Sequence, residues 1–125
     1  MDEMQHIRVL IVDDHDILRM GLTTFVENND DMVMVGEARN GQEAVDLCRN
    51  LHPDVVLMDL GMPVMDGMTA TAIITQEFPL IQIIVLTSTF SDEKREAAFK
   101  AGASAYFRKN ISIETLATAI RDAAA

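Results

Sequence analysis

Apolar runs of strand length recur five times along the chain: IRVLIV at residues 7 to 12, MVMVGEA at 32 to 38, VVLM at 55 to 58, IQIIVL at 81 to 86 and AYF at 105 to 107. Segments with helical spacing lie between them. Leu18, Leu22 and Phe25 keep that spacing, as do Ala44, Leu47, Cys48 and Leu51, and Ile113, Leu116, Ala117 and Ile120 repeat an i, i+3, i+4, i+7 stripe. Residues 67 to 78, with three Thr, predict a further helix. Ser91 predicts the N-cap of another reaching Ala101, with Asp92 and Glu93 in its first turn and Gly102 as its stop. Strands and helices in alternation imply right-handed crossovers and a parallel sheet covered on both faces, a three-layer doubly wound α/β domain.

In such open sheets the ligand site lies beyond the carboxyl ends of the strands, beside the point where strand order reverses. The first strand ends on Asp13 and Asp14, the third on Asp59 in LMDLGMPVMDG, the fourth on Thr87 and Ser88, and the fifth runs into Lys109 in AYFRKN. The second ends without such a group. A strand order of 2-1-3-4-5 would bring these polar ends to one cleft. Three carboxylates crowded together raise one another's pKa unless a cation joins them. Oxygen-only ligands with room for water suit Mg²⁺, with Mn²⁺ as the alternative, and not zinc. A carboxylate beside such an ion, a lysine and a hydroxyl form the kit for receiving a phosphoryl group, and an ionised carboxylate needs no general base.

Composition narrows the classes. The chain has 125 residues, 49 % of them hydrophobic, which suits one domain with a real core. Ten basic against twenty acidic residues leave a net charge of −10, which argues against direct binding of nucleic acid or anionic membrane. A single cysteine, with neither a signal peptide nor a long apolar span, predicts a cytoplasmic chain. Cys48 reads as core packing, Asp66-Gly67 as a turn and N-cap, and His15 as exposed polar surface. Asp13 and Asp14 carry a competing reading as simple caps of the first helix.

At the strand-end residues the sequence resembles the receiver domain of bacterial two-component response regulators, over essentially its whole length. The resemblance implies a flavodoxin-like fold for residues 1–125. It makes Asp59 the phosphoacceptor, fed by a sensor histidine kinase. Asp13, Asp14, Asp59 and the backbone carbonyl of Gly61 would hold Mg²⁺, and Thr87 and Lys109 would hold phosphoryl oxygens. Tyr106 resembles the aromatic switch residue, turning inward as Thr87 moves and altering the face formed by the fourth helix, fifth strand and fifth helix. VDDHDILRMGL and VGEARNGQEAV further resemble the NarL/FixJ-type subgroup, whose receivers precede a LuxR-type helix-turn-helix. That implies transcription regulation and a phosphorylation-dependent homodimer, with the output domain absent from this chain. The alternative is a stand-alone receiver acting through protein contacts.

Two departures stand out. Gly61 offers no side chain beside the path of attacking water, and Thr89 holds the other position that tunes this step. Asn110 stands where the family commonly carries proline, leaving the Lys109–Asn110 peptide open between cis and trans. A Mg²⁺-dependent phosphatase with an aspartate nucleophile would need an acid at position 61, and a nucleotide-binding module would need a glycine-rich phosphate loop. Neither is present, so the chain reads as a switch and not as a turnover enzyme.

Overall fold

Each apolar run forms a strand: β1 (Ile7–Val12), β2 (Met32–Ala38), β3 (Val55–Met58), β4 (Gln82–Thr87) and β5 (Ala105–Arg108). They alternate with helices α1 (Asp16–Glu27), α2 (Gly41–Leu51), α3 (Gly67–Glu77), α4 (Asp92–Ala101) and α5 (Ile113–Ala124). The structure is a computed structural model and describes residues 5–125. All strand pairs are parallel, in the order β2-β1-β3-β4-β5. β4 starts and ends one residue later than the apolar run suggests, and β5 gains Arg108, because the ladder pairs Thr87 with Arg108. Thr87 is thus the last ladder residue of β4.

The central strands run apolar from Val9 to Val12, Val55 to Met58 and Ile83 to Leu86 because both sheet faces are covered there. Val9, Ile11, Val55, Leu57, Ile84 and Leu86 pack with α1 and α5, while Leu10, Val12, Val56, Met58, Ile83 and Val85 pack with α2, α3 and α4. Burying one such side chain contributes about 1.5–3 kcal/mol. Cys48 belongs to the second of these cores, and burial pushes its thiol up to about 12, away from redox reactivity.

Two stripe positions differ from expectation. Leu18 is 37 % exposed and Ile113 63 % exposed, whereas Arg19 beside Leu18 is buried. Arg19 turns inward because its guanidinium finds oxygen acceptors there, and Ile113 opens α5 at the edge of the core.

Caps fix four of the helix starts. Asn40, Asp66, Ser91 and Ser112 each accept a hydrogen bond from the backbone N–H three residues on. α1 has no side-chain cap, which removes the simple capping reading of Asp13 and Asp14. Gly102 ends α4 with φ of 112°, a conformation that favours glycine. No peptide bond is cis among the described residues, so Lys109–Asn110 is trans. No helix among them is long and apolar enough to cross a membrane.

Gly67 opens α3 with its Cα against the Asp59 backbone, where an added Cβ would overlap the Asp59 carbonyl oxygen. Its N–H donates to the Leu60 carbonyl at 2.9 Å. Gly67→Ala is therefore expected to cost about 3 kcal/mol in urea unfolding, at the upper end of ordinary overpacking. A loss below about 0.5 kcal/mol, the range of an inconsequential surface change, would show that this loop yields freely.

Candidate functional site

The parallel topology carries the ends of β1, β3, β4 and β5 to one edge of the sheet. There His15, Asp59, Leu60, Gly61, Thr87 and Lys94 are among the residues lining a cleft of about 430 Å³. Asp13, at the end of β1, is fixed by its N–H donating to the Ala38 carbonyl at 3.0 Å, and Asp59 by its N–H donating to the Val12 carbonyl at 2.9 Å. Both carboxylates are buried, while Asp14 reaches solvent.

Lys109 enters from the end of β5. Its N–H donates to the Thr87 carbonyl at 2.9 Å, and its Nζ lies 2.9 Å from Asp13 Oδ2 and 3.1 Å from Asp59 Oδ1. These contacts are ion pairs by distance, but their angles fall short of aligned hydrogen bonds, so the ammonium retains donor capacity. Asp59 Oδ2 is buried with no hydrogen-bond partner. A buried carboxylate oxygen left unpaired is costly, so this atom calls for a partner that the described side chains do not supply.

The electrostatics follow from this crowding. Burial raises the Asp59 pKa above the ordinary carboxylate range, the Asp13 charge raises it further, and Lys109 offsets part of the rise. For Lys109 burial is the largest single influence and disfavours the charge, yet Asp13 and Asp59 together hold its pKa above the usual lysine value. Lys109 is a cation at every physiological pH.

His15 departs from its reading as plain exposed surface. Its ring Nδ1 lies 2.9 Å from Asp13 Oδ1 and 3.2 Å from Asp14 Oδ1, although the side chain remains 60 % exposed. Asp13, Asp14, His15 and Asp59 offer ligand atoms that all lie within 4.8 Å of one another, close enough to share one metal ion. The donor set is dominated by carboxylate oxygens, with one imidazole at its edge.

Thr87 is buried, and its Oγ1 accepts from the Thr89 N–H at 3.1 Å. Thr89 Oγ1 in turn accepts from Lys94 Nζ at 2.8 Å. Tyr106 lies inside, with its hydroxyl 3.4 Å from the Ser91 N–H and its ring 5.0 Å from that of Phe90. Arg108 stacks over Phe90 at 4.6 Å, so the β4–α4 loop and β5 share one aromatic contact. Gly61 sits at the cleft with open space around its Cα.

Three residues of this region escaped sequence reasoning. Arg19 is a buried arginine on α1, and the apolar stripe gave no signal for it. Lys94 was not singled out, although its place after the Ser91 cap puts it in the first turn of α4 beside the cleft. Val64 adopts φ of 68° while Met65 N–H donates to the Pro63 carbonyl at 2.7 Å, a strained three-residue turn whose Pro63 was the available signal. Asp66, by contrast, is the N-cap it promised to be.

A larger groove of about 620 Å³ runs between α1 and α5, but its one basic residue, Arg121, is engaged elsewhere. Arg121 pairs with Asp31 at 2.7 Å, so the carboxylate cleft alone joins ionisable groups with an unpaired buried oxygen among the described residues.

Comparison with known proteins places this geometry. The response regulator receiver domain model matches residues 9–121. The transcriptional regulatory protein LiaR of Bacillus subtilis is 47 % identical over 117 residues, covering 94 % of this chain and 56 % of LiaR. The response regulator protein VraR of Staphylococcus aureus is 39 % identical over 115 residues, covering 92 % of this chain and 55 % of VraR. The chain thus spans slightly more than half the length of these relatives. A crystal structure of a LuxR-family two-component response regulator from Aurantimonas sp. superposes with a TM-score of 0.89 at 35 % identity, covering 94 % of this chain and 84 % of that one. With LiaR, VraR and a LuxR-family regulator as relatives on one side and this strand-end cleft on the other, the chain belongs to the response regulator receiver domain family.

Proposed function

We propose that Asp59 accepts a phosphoryl group and that residues 1–125 act as a single phosphorylation-controlled receiver domain. The observation that carries this reading is the buried, unpartnered Asp59 Oδ2, in a cleft lined by Thr87 and with Lys109 Nζ 3.1 Å from the other Asp59 oxygen. In the reaction an Asp59 oxygen attacks phosphorus in line, and the bond from phosphorus to the donor breaks. That bond is P–N to the imidazole of a sensor kinase's phosphohistidine, whose nitrogen keeps the electron pair. Lys109 neutralises charge on the phosphoryl oxygens, and the Thr87 hydroxyl donates to one of them.

Asp13, Asp14, Asp59 and the Gly61 carbonyl would hold Mg²⁺, or Mn²⁺ in its place. Such an ion supplies charge neutralisation for an anionic donor approaching an anionic acceptor. The acidic donor set and the orphaned Asp59 oxygen fit it. His15 stands beside this set as a nitrogen donor that the oxygen-only reading did not include.

The switch is local. When Thr87 Oγ1 turns to the phosphate, its link to the Thr89 N–H is lost, and the loop leading to Phe90 and Ser91 is released from β4. Tyr106 is already inside, so the change it transmits is the repacking of Phe90 and Arg108 around it. Phosphorylation thereby shifts populations between two arrangements of the α4–β5–α5 face. By likeness to LiaR, VraR and the LuxR-family structure, we assign the output to dimerisation and to a DNA-binding helix-turn-helix in the full-length cytoplasmic protein. The chain itself turns over no metabolite and, at a charge of −10, does not grip nucleic acid.

Thermal melting tests the site. Mg²⁺ at about a hundred times its dissociation constant is expected to stabilise the fold by about 2.7 kcal/mol. For a domain of this size that is a rise in Tm on the order of 10 °C. Beryllofluoride, which mimics the bound phosphoryl group, adds to the rise only when Mg²⁺ is present. Identical melting curves under all conditions would sink the proposal.

A further inference from the structure

Arg19 is a buried charge that the phosphoryl chemistry does not use. Its side chain is 8 % exposed, and all three guanidinium nitrogens are engaged. Nη1 donates to the Asp13 backbone carbonyl at 2.8 Å, Nη2 to Asp16 Oδ1 at 2.6 Å and Nε to Glu37 Oε1 at 3.1 Å. One rigid fork therefore ties the β1–α1 turn to the first turn of α1 and to the edge strand β2. Lysine, with a single ammonium, cannot span three such acceptors.

Beyond the Asp13 N–H, which donates to the Ala38 carbonyl, the turn that Arg19 grips has few other fixings. α1 begins at His15 without a side-chain cap. The Asp13 carboxylate itself closes the turn, since its Oδ1 accepts from the His15 N–H at 2.8 Å. A cation that recruits the same carboxylate weakens that closure. The Nη1 bond holds the backbone of Asp13, not its side chain, so it survives the change and keeps the carboxylate aimed at the cleft. Partners behind a ligand commonly govern metal affinity without touching the ion.

We infer that Arg19 is a positioning residue for cation binding, which it favours by holding the Asp13–Asp14 turn through the Asp13 carbonyl while Asp16 and Glu37 hold its own guanidinium. This rests on the divalent-cation reading of the cleft. Its signature is a change in cation affinity without a change in the chemical step.

The test follows Mn²⁺ binding through loss of the free-ion EPR signal, in the unsubstituted chain, Arg19→Met and Arg19→Lys. Phosphorylation by acetyl phosphate is measured alongside as a function of Mg²⁺. Arg19→Met is expected to raise the half-saturating cation concentration about tenfold, with the rate at saturating cation preserved. Arg19→Lys recovers only part of the affinity, because the charge returns without the fork. Should Arg19→Met not fold, the exposed partners decide: Asp16→Ala combined with Glu37→Ala strips two of the three acceptors and is expected to weaken Mn²⁺ binding. Equal Mn²⁺ affinity in these folded variants and the unsubstituted chain overturns the positioning role while the cation site stands. No Mn²⁺ binding by the unsubstituted chain overturns both.

Discussion

Lys109→Met is expected to lower stability by about 3–5 kcal/mol at neutral pH without added divalent cation, and to abolish phosphorylation. The lysine is the one cation within ion-pair distance of both Asp13 and Asp59 among the described residues, at 2.9 and 3.1 Å. Both carboxylates are buried, so removing it leaves two like charges facing each other away from water. The pH dependence follows in sign. The folded pKa of Lys109 lies above the ordinary 10.5, so its contribution is complete below 10.5 and is lost only as pH rises through the raised value. Across neutral pH the lysine alone gives no slope. Asp59 has a folded pKa above the ordinary 3.8, so its contribution is fully present below 3.8 and is lost as pH rises through its raised value. Without Lys109 that fall continues to higher pH and grows in total, because the charge that offset it is gone. Urea unfolding at a series of pH values from acid to neutral checks this. Parallel stability curves for the two proteins would show that the ion pairs contribute nothing.

Asp59→Asn is expected to act in the opposite direction on stability. The substitution keeps the shape of the side chain, removes a buried charge whose pKa is raised first by burial and then by Asp13, and leaves Lys109 paired with Asp13 alone. A gain of about 1–2 kcal/mol is the expected result, as where a site holds strain for function. The gain shrinks toward acid pH, where Asp59 is protonated and costs nothing to bury. Loss of the phosphoacceptor should accompany the gain. A chain destabilised by Asp59→Asn at neutral pH would mean that the Lys109 contact outweighs burial and repulsion together.

The fold was legible because every strand carries an apolar run, and such runs alternating with amphipathic segments admit few topologies. Ser91 and Gly102 bounded α4 where its weak amphipathicity could not, and Asp66 did the same for α3. The carboxylates, Thr87 and Lys109 were legible because strand ends fall at one edge of a parallel sheet. What stayed hidden depends on side-chain reach. Arg19 lies on α1 among apolar neighbours, and only the three-dimensional meeting of Asp13, Asp16 and Glu37 explains its burial. The His15 ring turns back on Asp13 and Asp14, which position at a helix start does not reveal. Tyr106 was expected to move inward, whereas packing against Phe90 already holds it there.

The most direct test of the central claim is the intact mass of the chain after incubation with acetyl phosphate, with and without Mg²⁺, beside Asp59→Asn treated identically. The expected result is a single added phosphoryl group, present only with Mg²⁺ and only when residue 59 is aspartate, and released by hydroxylamine as an acyl phosphate is. An adduct that persists in Asp59→Asn, or no adduct in a folded chain that also fails to bind Mg²⁺–beryllofluoride, would contradict it.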